Sequence, residues 1–279
     1  MQLMKTIART AAAQVCLLMV ATAGFAANPL NSPTGLAVDT KGNLWVANTG
    51  ANNVVEFTSK YAFESAGTIT QAIHYPTGLA FDPAGSLWVA NFFGGGVGNV
   101  TEYTGGVQNT SNTISQRISF PRGIAIDALS SIWVNNNSMN VTVYAAATDY
   151  GAPTGLVRTI APYGDVLCLT VSQGVFSYAS SSTVYQNAET IALATGTLAG
   201  SSIAASAVAL ASDSSGNLYF AGSHGVVVIL PANRFFLQLP FVPAGMAIDS
   251  VRGRVYFSNA TANSISVYST AGVLLKTIE

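Results

Sequence analysis

The run Pro33-Thr34-Gly35-Leu36-Ala37-Val38-Asp39-Thr40-Lys41-Gly42-Asn43-Leu44-Trp45-Val46-Ala47-Asn48, with Asn53-Val54-Val55-Glu56-Phe57 after it, decides the fold because it recurs. It returns as Pro76-Thr77-Gly78-Leu79-Ala80-Phe81-Asp82, then Leu87-Trp88-Val89-Ala90-Asn91 and Asn99-Val100-Thr101-Glu102-Tyr103. A third copy holds Pro121-Arg122-Gly123-Ile124-Ala125-Ile126-Asp127, Ile132-Trp133-Val134-Asn135-Asn136 and Asn140-Val141-Thr142-Val143-Tyr144. Another closes the chain from Pro243 through Asp249, Asn259 and Tyr268. Starts at Pro33, Pro76 and Pro121 set a pitch of 43 to 45 residues; Pro162 continues it, and Pro243 lies two pitches beyond. Asp213 to Tyr219 fills the gap, and an eroded copy follows Pro162, so six copies are expected.

Each copy reads as strands. Gly-Leu-Ala-Val and Leu-Trp-Val-Ala are short apolar runs, rich in β-branched and aromatic residues and bounded by turn formers. Asp39 to Asn43 reads as a tight turn in which Asp39 caps the bend and Gly42 takes positive φ. The first two strands are continuously apolar, so both faces need cover, and sheets stacked face to face supply it where no helical signal does. The pattern therefore predicts an all-β fold, a six-bladed β-propeller of four-stranded antiparallel blades. The blades fall at about 33–72, 76–118, 121–160, 161–203, 204–240 and 243–279, in one domain spanning 27–279. The chain ends in a natural outermost strand, Val273 to Ile278. Closure is thus expected through side-chain packing without a shared blade, with Asn28 to Ser32 available for a short added pairing.

The pattern Pro-x-Gly-Leu/Ile-Ala-Val-Asp, a Gly turn, Leu-Trp-Val-Ala-Asn and Asn-x-Val-x-x-Phe/Tyr resembles the NHL repeat. The resemblance covers nearly all of the chain after residue 32 and is strongest in the first, second, third and last copies. It implies a six-bladed propeller, in a family shared by binding proteins, lactonase-like hydrolases and lyases, so it speaks to fold more than to function. It also implies that loops entering the innermost strand share one face with loops joining the second and third strands, and that ligands meet that face. There it places Thr34, Thr77, Arg122, Tyr163 and Ala244, together with Asn48, Asn91, Phe92, Phe93, Asn136, His224 and Asn259.

Composition narrows the function. Hydrophobic residues make up 49% of the chain and charged residues 8%, about a third of the usual charged share, which excludes disorder and coiled coil. The first residues carry Lys5 and Arg9, an apolar run follows from Ala11 to Val20, and small residues end it at Ala26. This reads as a signal peptide over 1–26, with cleavage after Ala23 as the alternative, and predicts a secreted or periplasmic protein. The run is short for a bilayer span, so no stable membrane span is expected after its removal. Losing Lys5 and Arg9 from 11 basic residues leaves nine against 12 acidic ones, which offers no basic face for nucleic acid. Removal of Cys16 leaves Cys168 as the single cysteine, so neither a disulfide nor a thiolate zinc site can form within the chain.

The repeating asparagines offer hard oxygen atoms to a cation or sugar, but their recurrence with the repeat favours strand-end capping by bonds to their own backbone. The turn aspartates lie at the opposite strand ends and read as caps. Departures from the repeat are more informative. Arg122 replaces Thr, and Asp165 in the adjacent copy is placed to pair with it across blades or to clamp a ligand. Phe92-Phe93 ahead of a glycine run either packs over the channel or contacts a partner. The ligand-binding candidates are thus Asn48, Phe92, Phe93, Asn91, Arg122, Asn136, Tyr163 and Asn259. The expected role is a binding or scaffold module for a protein, glycan or small polar molecule, with no cofactor. The alternative is a lactonase-type hydrolase or lyase using a divalent cation near Asp165, Asn136, Asn91 and His224, although only His74 and His224 are available as histidine ligands.

Overall fold

The computed structural model describes residues 28–137, 140–144, 156–160, 168–172, 175–179, 183–188, 200–204, 207–222, 224–230 and 234–279. The expected signal peptide, Tyr163 and Asp165 lie outside them. The described chain is all-β apart from two one-turn 3-10 segments, Thr49–Ala51 and Gly94–Gly96.

The strands form six four-stranded sheets, each antiparallel and in chain order. The first holds β1 (Pro33–Val38), β2 (Leu44–Asn48), β3 (Asn53–Phe57) and β4 (Phe63–Ile69). The second holds β5 (Pro76–Phe81), β6 (Leu87–Asn91), β7 (Asn99–Thr104) and β8 (Val107–Ile114). The third is β9 (Pro121–Ile126), β10 (Ile132–Asn136), β11 (Asn140–Tyr144) and β12 (Leu156–Ile160), and the fourth β13 (Cys168–Ser172), β14 (Val175–Ala179), β15 (Thr183–Ala188) and β16 (Gly200–Ala204). The fifth is β17 (Ala207–Ser212), β18 (Leu218–Gly222), β19 (Val226–Leu230) and β20 (Arg234–Gln238), and the last β21 (Gly245–Asp249), β22 (Arg254–Asn259), β23 (Ser264–Ser269) and β24 (Leu274–Ile278). Innermost strands touch in the circular order β1, β5, β9, β13, β17, β21 and back to β1. This is a β-propeller arrangement.

The continuous apolarity of the inner strands has its cause in the stacking. Leu44 and Val46 of β2 pack against Tyr256, Ile265 and Val267 of the last sheet, while Ala47 of the same strand packs against Leu79 and Val89 of the second. Trp88 and Ala90 face Ile124, Ile132 and Val134 of the third sheet, and Tyr219 with Val227 faces Val255 and Phe257. Alternate side chains of one strand thus enter two different cores, and no residue of β6 or β10 is left exposed. The Pro-x-Gly glycines answer to the crowding at the axis. A Cβ on Gly35 would lie 2.6 Å from the Thr77 carbonyl oxygen, and one on Gly245 only 2.2 Å from that of Thr34.

The turn aspartates are caps. Asp39 accepts from the amides of Lys41 and Asn43, Asp127 and Asp213 accept the equivalent pair, and Asp82 accepts from the Ser86 amide. The second carboxylate oxygen has a further partner that the repeat did not announce. Trp45, Trp88 and Trp133 each donate their indole N–H to Asp39, Asp82 and Asp127 at 3.3, 3.1 and 3.1 Å. Trp88 and Trp133 can be fully buried because their one polar atom is satisfied, while Trp45 stays partly buried.

Closure uses no shared sheet, as the strand order requires. Residues 28–32 form no strand. Instead Asn28 donates to the Asn263 carbonyl at 2.8 Å, and the Ser32 amide donates to the Asn263 side chain at 2.7 Å. Ser258 Oγ donates to the Thr34 carbonyl at 2.7 Å, and Arg254 reaches the Ser59 carbonyl at 2.8 Å while lying over the Tyr61 ring.

Candidate functional site

The loop-face asparagines are built into the structure more deeply than capping of their own strands requires. Pro33, Pro76 and Pro121 stand opposite Asn48, Asn91 and Asn136 in the ladder. Proline has no N–H to complete that rung. The asparagine amide therefore reaches past it into the segment entering the innermost strand. Asn48 accepts from the Asn31 amide and donates to the Pro29 carbonyl and to Asn53. Asn91 accepts from the His74 amide and donates to Asn99 and Thr101; Asn136 accepts from the Ser119 amide and donates to Asn140 and Thr142. All three are buried. Asn259 is partly buried and accepts from the Ala262 amide, so it caps its own loop.

These latches position an aromatic cluster. With Asn91 holding the His74 amide, the Phe92 amide donates to the Tyr75 carbonyl at 3.0 Å and the entry segment runs beside the Phe92-Phe93 loop. Phe120, before Pro121, donates its amide to the Val97 carbonyl on the other side. This approach needs Gly98, which has φ +92° and whose missing Cβ would stand 2.3 Å from Pro121 Cδ. The four rings meet as a patch. Phe92 and Phe93 stand 4.8 Å apart edge to face, Tyr75 lies 5.3 Å from Phe93, and Phe120 lies 5.3 Å from Phe92. Phe92 is half-buried and forms the base, while Phe93 and Tyr75 keep 51% and 43% of their surface exposed, so the patch presents apolar area to solvent. Val97 widens it.

Sequence reading singled out Phe92 and Phe93 but not Tyr75 and Phe120. The available signal was an aromatic residue immediately before the repeat proline in two consecutive copies. Two residues after Phe120, Arg122 is exposed and lines the channel mouth with Thr77, Ala244 and Met246, around a space of about 110 Å³. Its expected pairing with Asp165 falls outside the described residues. Thr34 and Thr77 point across blades, and Thr77 donates to the Pro121 carbonyl at 2.8 Å. His224 is exposed in the β18–β19 loop, where its carbonyl accepts from Gln238. Among the described residues, no group of three or more His, Cys, Asp or Glu side chains is placed to hold a metal. No helix among them is long and apolar enough to cross a membrane.

Fold and loop face together define a repeat β-propeller with a partly apolar loop face. The NHL repeat profile matches residues 30–57, the first copy, and bears out the resemblance read from the repeating pattern. No curated protein is recognisably similar in sequence. Among solved structures, the nidogen/laminin complex gives a TM-score of 0.67 at 15% identity, covering 85% of this chain and 93% of the other. A streptogramin B lyase gives 0.62 at 14% identity over 91% and 84% of the two chains. Virginiamycin B lyase from Staphylococcus aureus gives 0.59 at 13% identity over 88% and 83%. At such identities the likeness is one of fold.

Proposed function

We propose that the chain is an exported six-bladed propeller that binds a protein ligand through the Tyr75–Phe92–Phe93–Phe120 patch, with Arg122 at the adjoining channel mouth. The half-exposed aromatic cluster carries this reading. Exposed aromatic residues beside an arginine are the composition in which binding energy concentrates at protein interfaces. The structural likeness to a propeller solved in the nidogen/laminin complex supports a protein as ligand over a glycan or small polar molecule. Six sheets and the circular contacts of their inner strands support six blades. The basic start, apolar run and small-residue end of residues 1–26 support export to the periplasm or beyond. Affinity capture from the exported fraction with the wild type and with Phe93→Ser tests the site. A protein retained by the first and lost by the second supports it; identical captures refute it.

A second reading is a lyase, favoured by the two lyase folds and by a catalytically inactive His-to-Ala variant of one, solved with quinupristin. His224 and Asp165 would serve it, with a divalent cation. Asn91 and Asn136 fit poorly as its ligands, because each is buried and its side-chain oxygen, the atom a cation would take, already accepts from a backbone amide. Calorimetric titration with Ca²⁺, Mg²⁺ and Zn²⁺ separates the two readings: uptake of one ion per chain favours the lyase, and none favours the binding module.

A further inference from the structure

On the face opposite the loops, the first and second sheets diverge around a cavity of about 450 Å³. Its walls include Trp45 and Phe81, edge to face at 6.0 Å, with Ile69 and Leu87, and its rim carries Glu56 and Glu64. This volume lies in the range of small-molecule sites. The repeat supplies an internal control for its charge. Glu56 and Glu102 occupy the same position in consecutive copies, each opposite the tryptophan of its sheet. Glu102 stands opposite Asn109 on β8 and accepts from the side-chain amides of both Asn109 and Asn112. Glu56 stands opposite Glu64 on β4. Like charges directly across a ladder are destabilising, so the first sheet holds a carboxylate pair where its neighbour holds a satisfied carboxylate.

The surroundings do not neutralise the pair. Glu56 accepts one bond from Asn43 at 2.8 Å, and Asp39 and Asp82 also line the cavity, against Lys41 as the one basic lining residue. β4 bulges between Glu64 and Ile69, which brings Ala66 and Gly67 to the cavity, and Gly67 leaves the room in which the Glu56 carboxylate sits. Gly105 and Gly106 at the β7–β8 turn complete the rim with nothing near the place of a side chain. Burial, and after it the charge of Asp39, raises the Glu56 carboxyl above its ordinary value.

The geometry points to a binding site for a small organic cation, a primary amine on an aromatic or aliphatic body, in this inter-blade cavity. The ammonium group bridges Glu56 and Glu64 and relieves their repulsion, and the apolar body rests on Trp45 and Phe81. This site is separate from the loop-face patch, so either can fail alone.

Calorimetry on the full chain with phenethylamine as probe, and with 2-phenylethanol as its uncharged counterpart, tests the assignment. Glu64→Asn copies the Glu102–Asn109 pairing of the next sheet at an exposed position, and a thermal melt checks that the variant folds. Phenethylamine is expected to bind at least about tenfold more tightly than the alcohol, and Glu64→Asn to weaken the amine by about tenfold while leaving the alcohol unchanged. Equal binding of amine and alcohol, amine binding indifferent to Glu64→Asn, or no amine binding would overturn the site. Displacement of the amine by Ca²⁺ at equimolar concentration would likewise replace the organic cation with a metal.

Discussion

The side chain of Asn263, in the β22–β23 turn of the last sheet, accepts a hydrogen bond from the backbone amide of Ser32 ahead of the first, at 2.7 Å. Asn52 makes the same contact to the amide of Tyr75, also at 2.7 Å, between the first and second sheets. Both asparagines sit at φ +51°, and both amides precede a repeat proline. The junction between the last sheet and the first is therefore fastened like the next one, with Ser258, Asn28 and Arg254 added. Asn263→Ala removes the bond and places an alanine at positive φ, and is expected to cost about 1–2 kcal/mol in denaturant unfolding. Asn52→Ala should cost a similar amount. Asn263→Gly, which keeps the backbone unstrained, should cost less than Asn263→Ala.

Asp127 is buried and accepts from two turn amides and the Trp133 indole. Asp127→Ala leaves these donors without their acceptor and is expected to destabilise by about 1–3 kcal/mol. Asp213 is more exposed, and its second oxygen accepts from the Asn217 side-chain amide in place of an indole, so its replacement by alanine should cost less. Equal losses in paired equilibrium unfolding curves would show that the burial of the Asp127–Trp133 pair adds nothing over the more exposed Asp213–Asn217 pair.

The repeat made these turns readable, because the Asp-x-x-Gly pattern at Asp39, Asp82 and Asp213 reports one local geometry, which Asp127 keeps with Ser130 at φ +63° in the glycine's place. The strand positions were readable for the same reason. Less of the candidate site was. Asn48, Asn91 and Asn136 carried a visible period, but their partners lie 17 residues earlier, and they reach there because a proline faces each of them. Tyr75 and Phe120 join Phe92 and Phe93 only once those latches have drawn the loops together. The Glu56–Glu64 pairing depends on a bulge in β4, and the cavity beside it on how two sheets diverge. Neither leaves a mark in local sequence.

Gly78 packs so closely on the third sheet that a Cβ would fall 2.9 Å from Gly123 Cα. Gly78→Ala is expected to force two inner strands apart and cost about 1–3 kcal/mol. Gly85→Ala, at positive φ but with open space around it, tests strain without crowding. Thermal melts of both should rank Gly78→Ala as the more damaging.

Glu56 gives a pH-dependent expectation. Burial and Asp39 raise its carboxyl, so the folded state favours the protonated form. That contribution to stability is fully present below the unfolded-state value and is lost as pH rises through the folded-state one. Glu56→Gln should therefore be more stable than wild type at neutral pH, with the difference shrinking on acidification towards the ordinary glutamate range. A difference independent of pH, measured by denaturant titration across that range, would contradict the assignment.

The most direct test of the loop-face proposal is affinity capture from the exported fraction with wild type and Phe93→Ser, paired with their melting curves. Phe93 is half-exposed, so the two proteins should melt together, and the captured protein should be present with wild type and absent with the variant. Identical capture by two equally stable proteins would contradict a binding role for the aromatic patch.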